Sequence, residues 1–357
     1  MEEISVIGID LAKNVFQLEA QSVCGAVVWK KRLRRAAFMR FMEKLGQQAP
    51  GCLVGFEACG GAHYWGRFLT ELGLRVKMMA PKSVKAYREG PHKNDDRDAH
   101  AAAEAANRAQ VRAVRIKSQA AQAVQALVRV RLLQIKQMGQ IGNQLRGILG
   151  EFGIVMPKGH KRLREGIARL RDDPRFQHLP QSLRDAVDGL CTQLAEQVER
   201  VKRATQALAQ ATKHDPNCAL LRSTPALGPI NAAGLSVTLE APHSYRNARA
   251  FAASLRLVPC QWQSADKQRL RGIARQGASD LRRNLVLAGQ SLLTMVLRMK
   301  QPPTDPLLLW ARRLVQRKTR NVAAVAVAAK LARIAWAIIA KAEPYRPRPI
   351  AAPLQPA

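Results

Sequence analysis

Acidic residues are scarce in this sequence. Its 357 residues include 26 Asp and Glu against 58 Lys and Arg, a formal net charge of +32. A chain so unbalanced repels itself when compact unless a polyanion neutralises it, and nucleic acid is the usual polyanion. The scarcity is also local, because no acid lies between Glu104 and Glu151 or between Asp305 and Glu343. Metal-binding cysteine patterns are missing too. The six cysteines (Cys24, Cys52, Cys59, Cys191, Cys218 and Cys260) contain no Cys-x-x-Cys pair. That argues against a zinc module or a disulfide framework and leaves reduced, partly buried thiols. The seven histidines are scattered, none at metal-ligand spacing. No long apolar run is uninterrupted: Lys330 and Arg333 break the stretch 322–339, which argues against a spanning helix. Residues 1–9 carry Glu2 and Glu3 and too short an apolar run for a signal peptide. The expectation is a cytoplasmic protein, at the nucleoid when bound to DNA, with no membrane partner.

What is present suffices for a folded core, since 47% of residues are hydrophobic. The first part alternates short apolar runs and helical stretches. Runs at 4–9, 15–20 and 26–29 read as strands, 36–45 as a helix, 52–56 as a buried strand, 64–72 as a helix and 75–79 as a strand. This predicts an α/β layer domain over 1–116. Over 117–215 the pattern is helical, with apolar positions every three or four residues from Val124 to Ile148. A second, heptad-like stripe runs from Leu183 to Leu208. The expectation there is a helical coiled-coil linker, with pairing in cis and in trans both open. The acid-free helix offers Arg129, Arg131 and Lys136 to a phosphate backbone. A mostly helical module is expected over 216–343, followed by a loose Pro-rich tail over 344–357. Within that module, TPALGPINA has the shape of a hairpin between two helices, whose backbone N–H groups can hold phosphate. A plain helix–turn–helix connection explains it equally well.

Phosphodiester cleavage with two metal ions needs carboxylates that converge on one point. Asp10 ends the apolar run SVIGID and Glu57 ends CLVGFE, while Asp95 and Asp98 stand three apart at the entrance of an Ala-rich helix. Singly, each has a plain structural reading. Asp10 can open a turn, Glu57 can cap the next helix, and Asp95 and Asp98 suit a helix N-terminus. Jointly, two strand-end acids and a D-x-x-D inside a basic chain point to nucleic-acid chemistry.

The stretches IGIDLAKNVFQLEA, FEACGGAHYWGRFLTELG and PKSVKAYREGPHKNDDRDAHAAAEA closely resemble the N-terminal half of the DEDD insertion-sequence transposases, the IS-one-ten group with its eleven-eleven branch. The resemblance implies an RNase H/RuvC-like domain in which Asp10, Glu57, Asp95 and Asp98 bind Mg²⁺, as a two-metal site. Lys93 and Asn94 match the family's lead-in to that motif, and Asp96 lies beside it. The resemblance continues from Leu221 to Leu285, where the family carries a nucleophilic serine; the matching position is Ser264. From the residues alone, a loop serine flanked by bases is common. Its role comes with the resemblance, and Lys267, Arg269 and Arg271 would stabilise the charged transition state. Departures from the family pattern are Ala265 and Asp266 for two glycines, Gln263 for a serine, Cys260 for a basic residue and Ala226 for the first glycine of the hairpin.

The resemblance further implies donor and target DNA as substrates, a structured guide, or bridge, RNA, a homo-oligomer (dimer or tetramer), and strand exchange through a covalent phosphoserine. Two other functions fit the residues. One is a metal-dependent junction nuclease using the four acids and water; the other is a non-catalytic basic nucleic-acid binder.

Overall fold

The computed structural model describes residues 4–88, 95–264, 267–273 and 279–347; the side chains at 95, 263, 264, 267, 268, 270 and 271 lie outside that description. The chain divides into two compact units, residues 1–119 and 120–357.

The first unit is a mixed α/β layer. Its elements are β1 (Ile4–Asp10), β2 (Val15–Ser22), β3 (Val27–Arg34), α1 (Arg35–Gln48), β4 (Leu53–Glu57), α2 (Ala62–Glu71), β5 (Arg75–Met79), α3 (Pro81–Lys85) and α4 (Asp95–Asn107). The sheet order is β3-β2-β1-β4-β5, with β1, β2 and β3 antiparallel and β1, β4 and β5 parallel. This arrangement is consistent with an RNase H-like domain. Strand β3 extends past the expected Trp29 through Lys30, Lys31 and Arg32. It is an edge strand, and charge there blunts unwanted pairing, so its sequence lacks an apolar signature.

The two faces of the sheet differ in kind. One carries Ile7, Ile9, Phe16, Leu18, Val54, Phe56 and Met78, which pack with Phe38 and Met42 of α1 and Trp65 and Leu69 of α2. Phe16 stacks on Phe38 at 4.3 Å, and Trp65 meets both rings edge-on at 5.0 and 5.1 Å. Side chains alternate along a strand, so the other face presents Gly8, Gln17, Glu19, Gln21 and Gly55. Helix α4 lies on that face by direct backbone approach. A Cβ on Gly8 would sit 2.1 Å from the Ala99 carbonyl oxygen and 2.4 Å from the Ala103 nitrogen; one on Gly55 would sit 2.4 Å from the Ala106 Cβ. Glycines under an alanine-rich helix therefore set how closely helix and sheet meet.

The second unit is mostly helical. Long helices α5 (Gln119–Glu151) and α8 (Gln181–Ala211) flank the short α6 (His160–Ala168) and α7 (Pro174–Gln177). Leu145 and Leu149 of α5 share a core with Leu163, Phe176, Val187 and Leu194. Gln197 Nε2 donates to the Gln134 carbonyl at 3.1 Å, and Arg131 Nε donates to Thr205 Oγ1 at 2.8 Å. The apolar stripe of α8 thus packs within its own chain.

The rest comprises α9 (Pro216–Arg222), α10 (Pro229–Thr238), α11 (Ala248–Ser254), a ribbon of β6 (Pro259–Ser264) and β7 (Lys267–Ile273), then α12 (Ser279–Arg298), α13 (Pro306–Arg317) and α14 (Arg320–Lys341). By length and composition α14 could cross a membrane. Its apolarity has another cause: Ala324, Val327, Leu331 and Ala335 are fully buried in this unit's core. Where a loose tail is expected from Pro344, Tyr345 is anchored instead. Its hydroxyl donates to Asp305 at 2.9 Å and its N–H to Ser223 Oγ at 2.7 Å. Burial, then the bond to Asp305, pushes the Tyr345 phenol well above its ordinary pKa.

Candidate active site

The parallel pairing of β1 and β4 matches Gly8 with Gly55 and Ile9 with Phe56. Asp10 and Glu57 are the next residues on each strand, so they stand side by side at neighbouring strand ends. Two-residue alternation from Gly8 and Gly55 puts both side chains on the face that α4 covers. Cys59 follows β4, with its sulfur 3.9 Å from the Leu11 carbonyl oxygen. Partial burial and then the negative charges of Glu57 and Asp10 push the Cys59 thiol above its ordinary pKa. Both carboxylates therefore project their field onto one place.

Helix α4 begins at this end of the sheet. Asp96 accepts a hydrogen bond from Gln17, and Gln17 is the residue opposite Asp10 in the β1–β2 pairing. Asp98, one turn into the helix, is buried at 9% exposure. The Arg88 Nε lies 2.5 Å from Asp98 Oδ1, so the buried carboxylate is paired with that guanidinium. The backbone of Asp95 opens α4; its side chain, like Lys93 and Asn94, lies outside the described residues. Among the described residues no three His, Cys, Asp or Glu side chains group closely enough to hold a metal ion. The donor set is nevertheless all carboxylate oxygen, the chemistry that Mg²⁺ prefers.

A second polar cluster fixes α4 to β2. Glu19, 1% exposed, lies 2.5 Å from His100 Nδ1 and 3.1 Å from Lys30 Nζ, and accepts a hydrogen bond from Gln21 Nε2 at 3.0 Å. Burial works to raise the Glu19 pKa, but bonds from His100, Gln21 and Lys30 outweigh it and leave it below the ordinary value. None of Gln17, Glu19, Arg88 or His100 stood out in the sequence. The signal was the polar 17-19-21 spacing inside an otherwise buried strand; Arg88 had none.

Ser264 is the last residue of β6, paired with Lys267, the first of β7. It thus ends a strand, where a loop is expected from sequence; Ala265 and Asp266 lie outside the described residues. Trp262 and Arg269 face each other across the ribbon, and both are exposed. Lys267 and Arg271 are placed in β7 by backbone alone. On α5, Arg129 and Lys136 are exposed seven residues apart, on one face. Arg131 is half-buried against Thr205.

Ala226 precedes Gly228, the N-cap of α10, and has φ of +66°. That left-handed conformation favours glycine, which explains why the family pattern has glycine there.

Comparison with known proteins accounts for both units. The family model DEDD_Tnp_IS110, described as a transposase, matches residues 7–154, and that of the transposase IS116/IS110/IS902 family matches 218–302. The chain is 37% identical over 348 residues to a "Probable family 20 transposase" of Pseudomonas aeruginosa, covering 96% of this chain and 99% of that protein. It is 34% identical to the transposase for insertion sequence element IS1111A of Coxiella burnetii, over 97% of this chain and 92% of the relative. With the transposase for IS1328 of Yersinia enterocolitica the identity is 33%, over 95% and 97%.

Proposed function

The chain belongs to the IS110/IS1111 group of transposases, and from that premise we propose that it cuts and rejoins DNA through two chemical centres. The first is formed by Asp10, Glu57, Asp95 and Asp98, the second by Ser264. The observation that carries the reading is the neighbouring placement of Asp10 and Glu57 at the strand ends, on the face covered by α4, the helix that carries the buried Asp98. A pure nucleic-acid binder gains nothing from acids gathered where phosphate must approach.

In this reading Asp10, Glu57, Asp95 and Asp98 would hold Mg²⁺, which would supply charge stabilisation to the phosphodiester being cut. Glu19, His100 and Gln17 hold α4 to the sheet and so keep Asp98 in register with the strand ends. The Ser264 hydroxyl attacks phosphorus; an Oγ–P bond forms as the P–O bond to one sugar breaks. The serine loses its proton and the leaving sugar oxygen gains one. One phosphoester replaces another, so a sugar hydroxyl can reverse the step and rejoin the strand. Lys267, Arg269 and Arg271, on the strand paired with β6, would offset the negative charge that builds on phosphorus.

Donor and target DNA are the substrates, and a structured bridge RNA pairs with both, so that base pairing selects sequence while the protein grips backbones. The net charge of +32 suits more than one nucleic acid. Homo-oligomerisation, as a dimer or tetramer, completes the reading.

The test is a denaturation-resistant adduct. The protein is incubated with element-end DNA, its co-purified RNA and Mg²⁺, then denatured and digested. Mass spectrometry should find DNA on the peptide containing Ser264. Ser264→Ala should abolish the adduct, and Asp10→Ala, Glu57→Ala or Asp98→Ala should each reduce cleavage at least about 100-fold, with folding intact. Robust strand exchange by Ser264→Ala would favour a junction nuclease that uses water.

A further inference from the structure

The chain has five tryptophans. Trp65 is 2% exposed, and Trp29, Trp310 and Trp336 are half-buried against the two cores. Trp262 alone is exposed, at 59%, within β6. An indole left in water forfeits one of the largest apolar burials a side chain can offer. One exposed aromatic does not by itself name a partner; its place in the ribbon does.

Trp262 is paired with Arg269, and Ser264 with Lys267. Two-residue alternation puts positions 262 and 264 of β6 on one face of the ribbon, together with positions 269 and 267 of β7. That face therefore brings together an indole, the serine proposed as nucleophile and two cations. Its surroundings are of one sign: residues 241–279 contain seven Lys or Arg and a single acid, Asp266. We infer that Trp262 is a positioning residue that stacks on the nucleobase next to the phosphodiester attacked by Ser264. The inference rests on the proposed serine chemistry and adds to it a site for a base.

Indole and cation serve different parts of one nucleotide. The cations meet the phosphate, and the indole meets the flat face of the base, where stacking needs no hydrogen-bond code. Two residues along a strand span about 6.7 Å, the scale of a single nucleotide, so a base held on Trp262 leaves its phosphate near position 264. A base inside an intact duplex has both faces covered. Strand exchange has to part the strands at the cut, and parting them opens a base face there. A two-stranded ribbon is also narrow enough to enter a major groove and reach that base. Because every base has a π-face, the contact holds any sequence in place, which suits an enzyme whose sequence choice lies in base pairing. A protein partner would want apolar residues around the indole, but the neighbours of Trp262 along and across the ribbon are Gln261, Gln263 and Arg269.

The test uses the full-length protein with its co-purified RNA, Mg²⁺ and element-end DNA. The DNA carries 2-aminopurine, or an abasic residue, at single positions around the cut. Binding of the wild type should quench 2-aminopurine at one position beside the cut, and Trp262→Ala should leave it bright. Trp262→Ala should form the Ser264 adduct about 10- to 100-fold more slowly, with unchanged thermal melting because the side chain is exposed. Trp262→Phe should recover most of the rate and of the quenching. An abasic residue at the quenched position should slow the wild type as much as the substitution does, and slow Trp262→Ala little further. Equal adduct rates and equal quenching in wild type and Trp262→Ala would overturn the stack while leaving Ser264 as nucleophile. A changed oligomeric state in Trp262→Ala with quenching intact would also overturn it and assign the indole to a protein contact. Strand cutting by the wild type with no adduct at Ser264 would overturn the serine chemistry, and the stack beside it would fall too.

Discussion

At position 8 a single methyl group decides whether helix and sheet can meet. Gly8→Ala would put a Cβ 2.1 Å from the Ala99 carbonyl oxygen, a backbone atom with no freedom to swing aside. We expect destabilisation of at least about 3 kcal/mol, read by denaturant unfolding. We also expect loss of DNA cleavage in whatever fraction remains folded, because α4 carries Asp98. At Ala226 the same kind of change works the other way. Its φ of +66° strains an L-residue, so Ala226→Gly should raise stability by about 1 kcal/mol. A midpoint equal to or below that of the wild type would show that the turn is not strained. Asp10 and Glu57 illustrate a third residue-scale effect. Their partnership comes from one register of β1 against β4, and a slip of one residue would turn one of them to the opposite face.

At the scale of elements, the docking of α4 on β2 depends on Glu19. Its folded-state pKa is depressed, so it contributes stability that is fully present above its unfolded value. That stability is lost as pH falls through the lower, folded value. Glu19→Gln should cost about 2 kcal/mol at pH 7, since a buried charged hydrogen-bond acceptor is replaced by a neutral one. It should also flatten the acid limb of a stability-against-pH curve; an unchanged limb would mean that Glu19 is not the group being titrated. The β6–β7 ribbon is the other element whose position matters. It was hidden in the sequence because QWQS and KQRLR have no apolar alternation and the turn lacks an Asn-Gly or Asp-Gly signal. A short exposed ribbon needs no apolar face, so periodicity could not reveal it.

For the whole molecule, charge governs behaviour. With a net charge of +32, nucleic-acid affinity should fall steeply as salt rises, because each Lys or Arg contact releases counterions. Replacing exposed Arg129 and Lys136 together with Gln should make the slope shallower by about two, with little change in stability. A slope identical to the wild type would remove this face of α5 from the contact surface. The two units have separate cores, so destabilising one by Gly8→Ala should leave the melting of the other visible as its own transition.

Local pattern alone was enough to determine that the chain carries a large positive charge, that its first part alternates strands and helices, and that two acids end apolar strands. These are properties of composition and of short-range periodicity, which a strand or helix expresses wherever it lies. The family resemblance was legible in the same way, from contiguous motifs. Tertiary structure alone decided that Asp10 and Glu57 are neighbours, because parallel pairing joins residues 47 apart through register. It also decided that Glu19 and Gln17 serve α4, that Arg88 meets Asp98, and that Arg131 bonds Thr205 of another helix. Each of these is a long-range contact made by one or two side chains. Such contacts leave no periodic trace in sequence, since nothing near either partner has to change when they form.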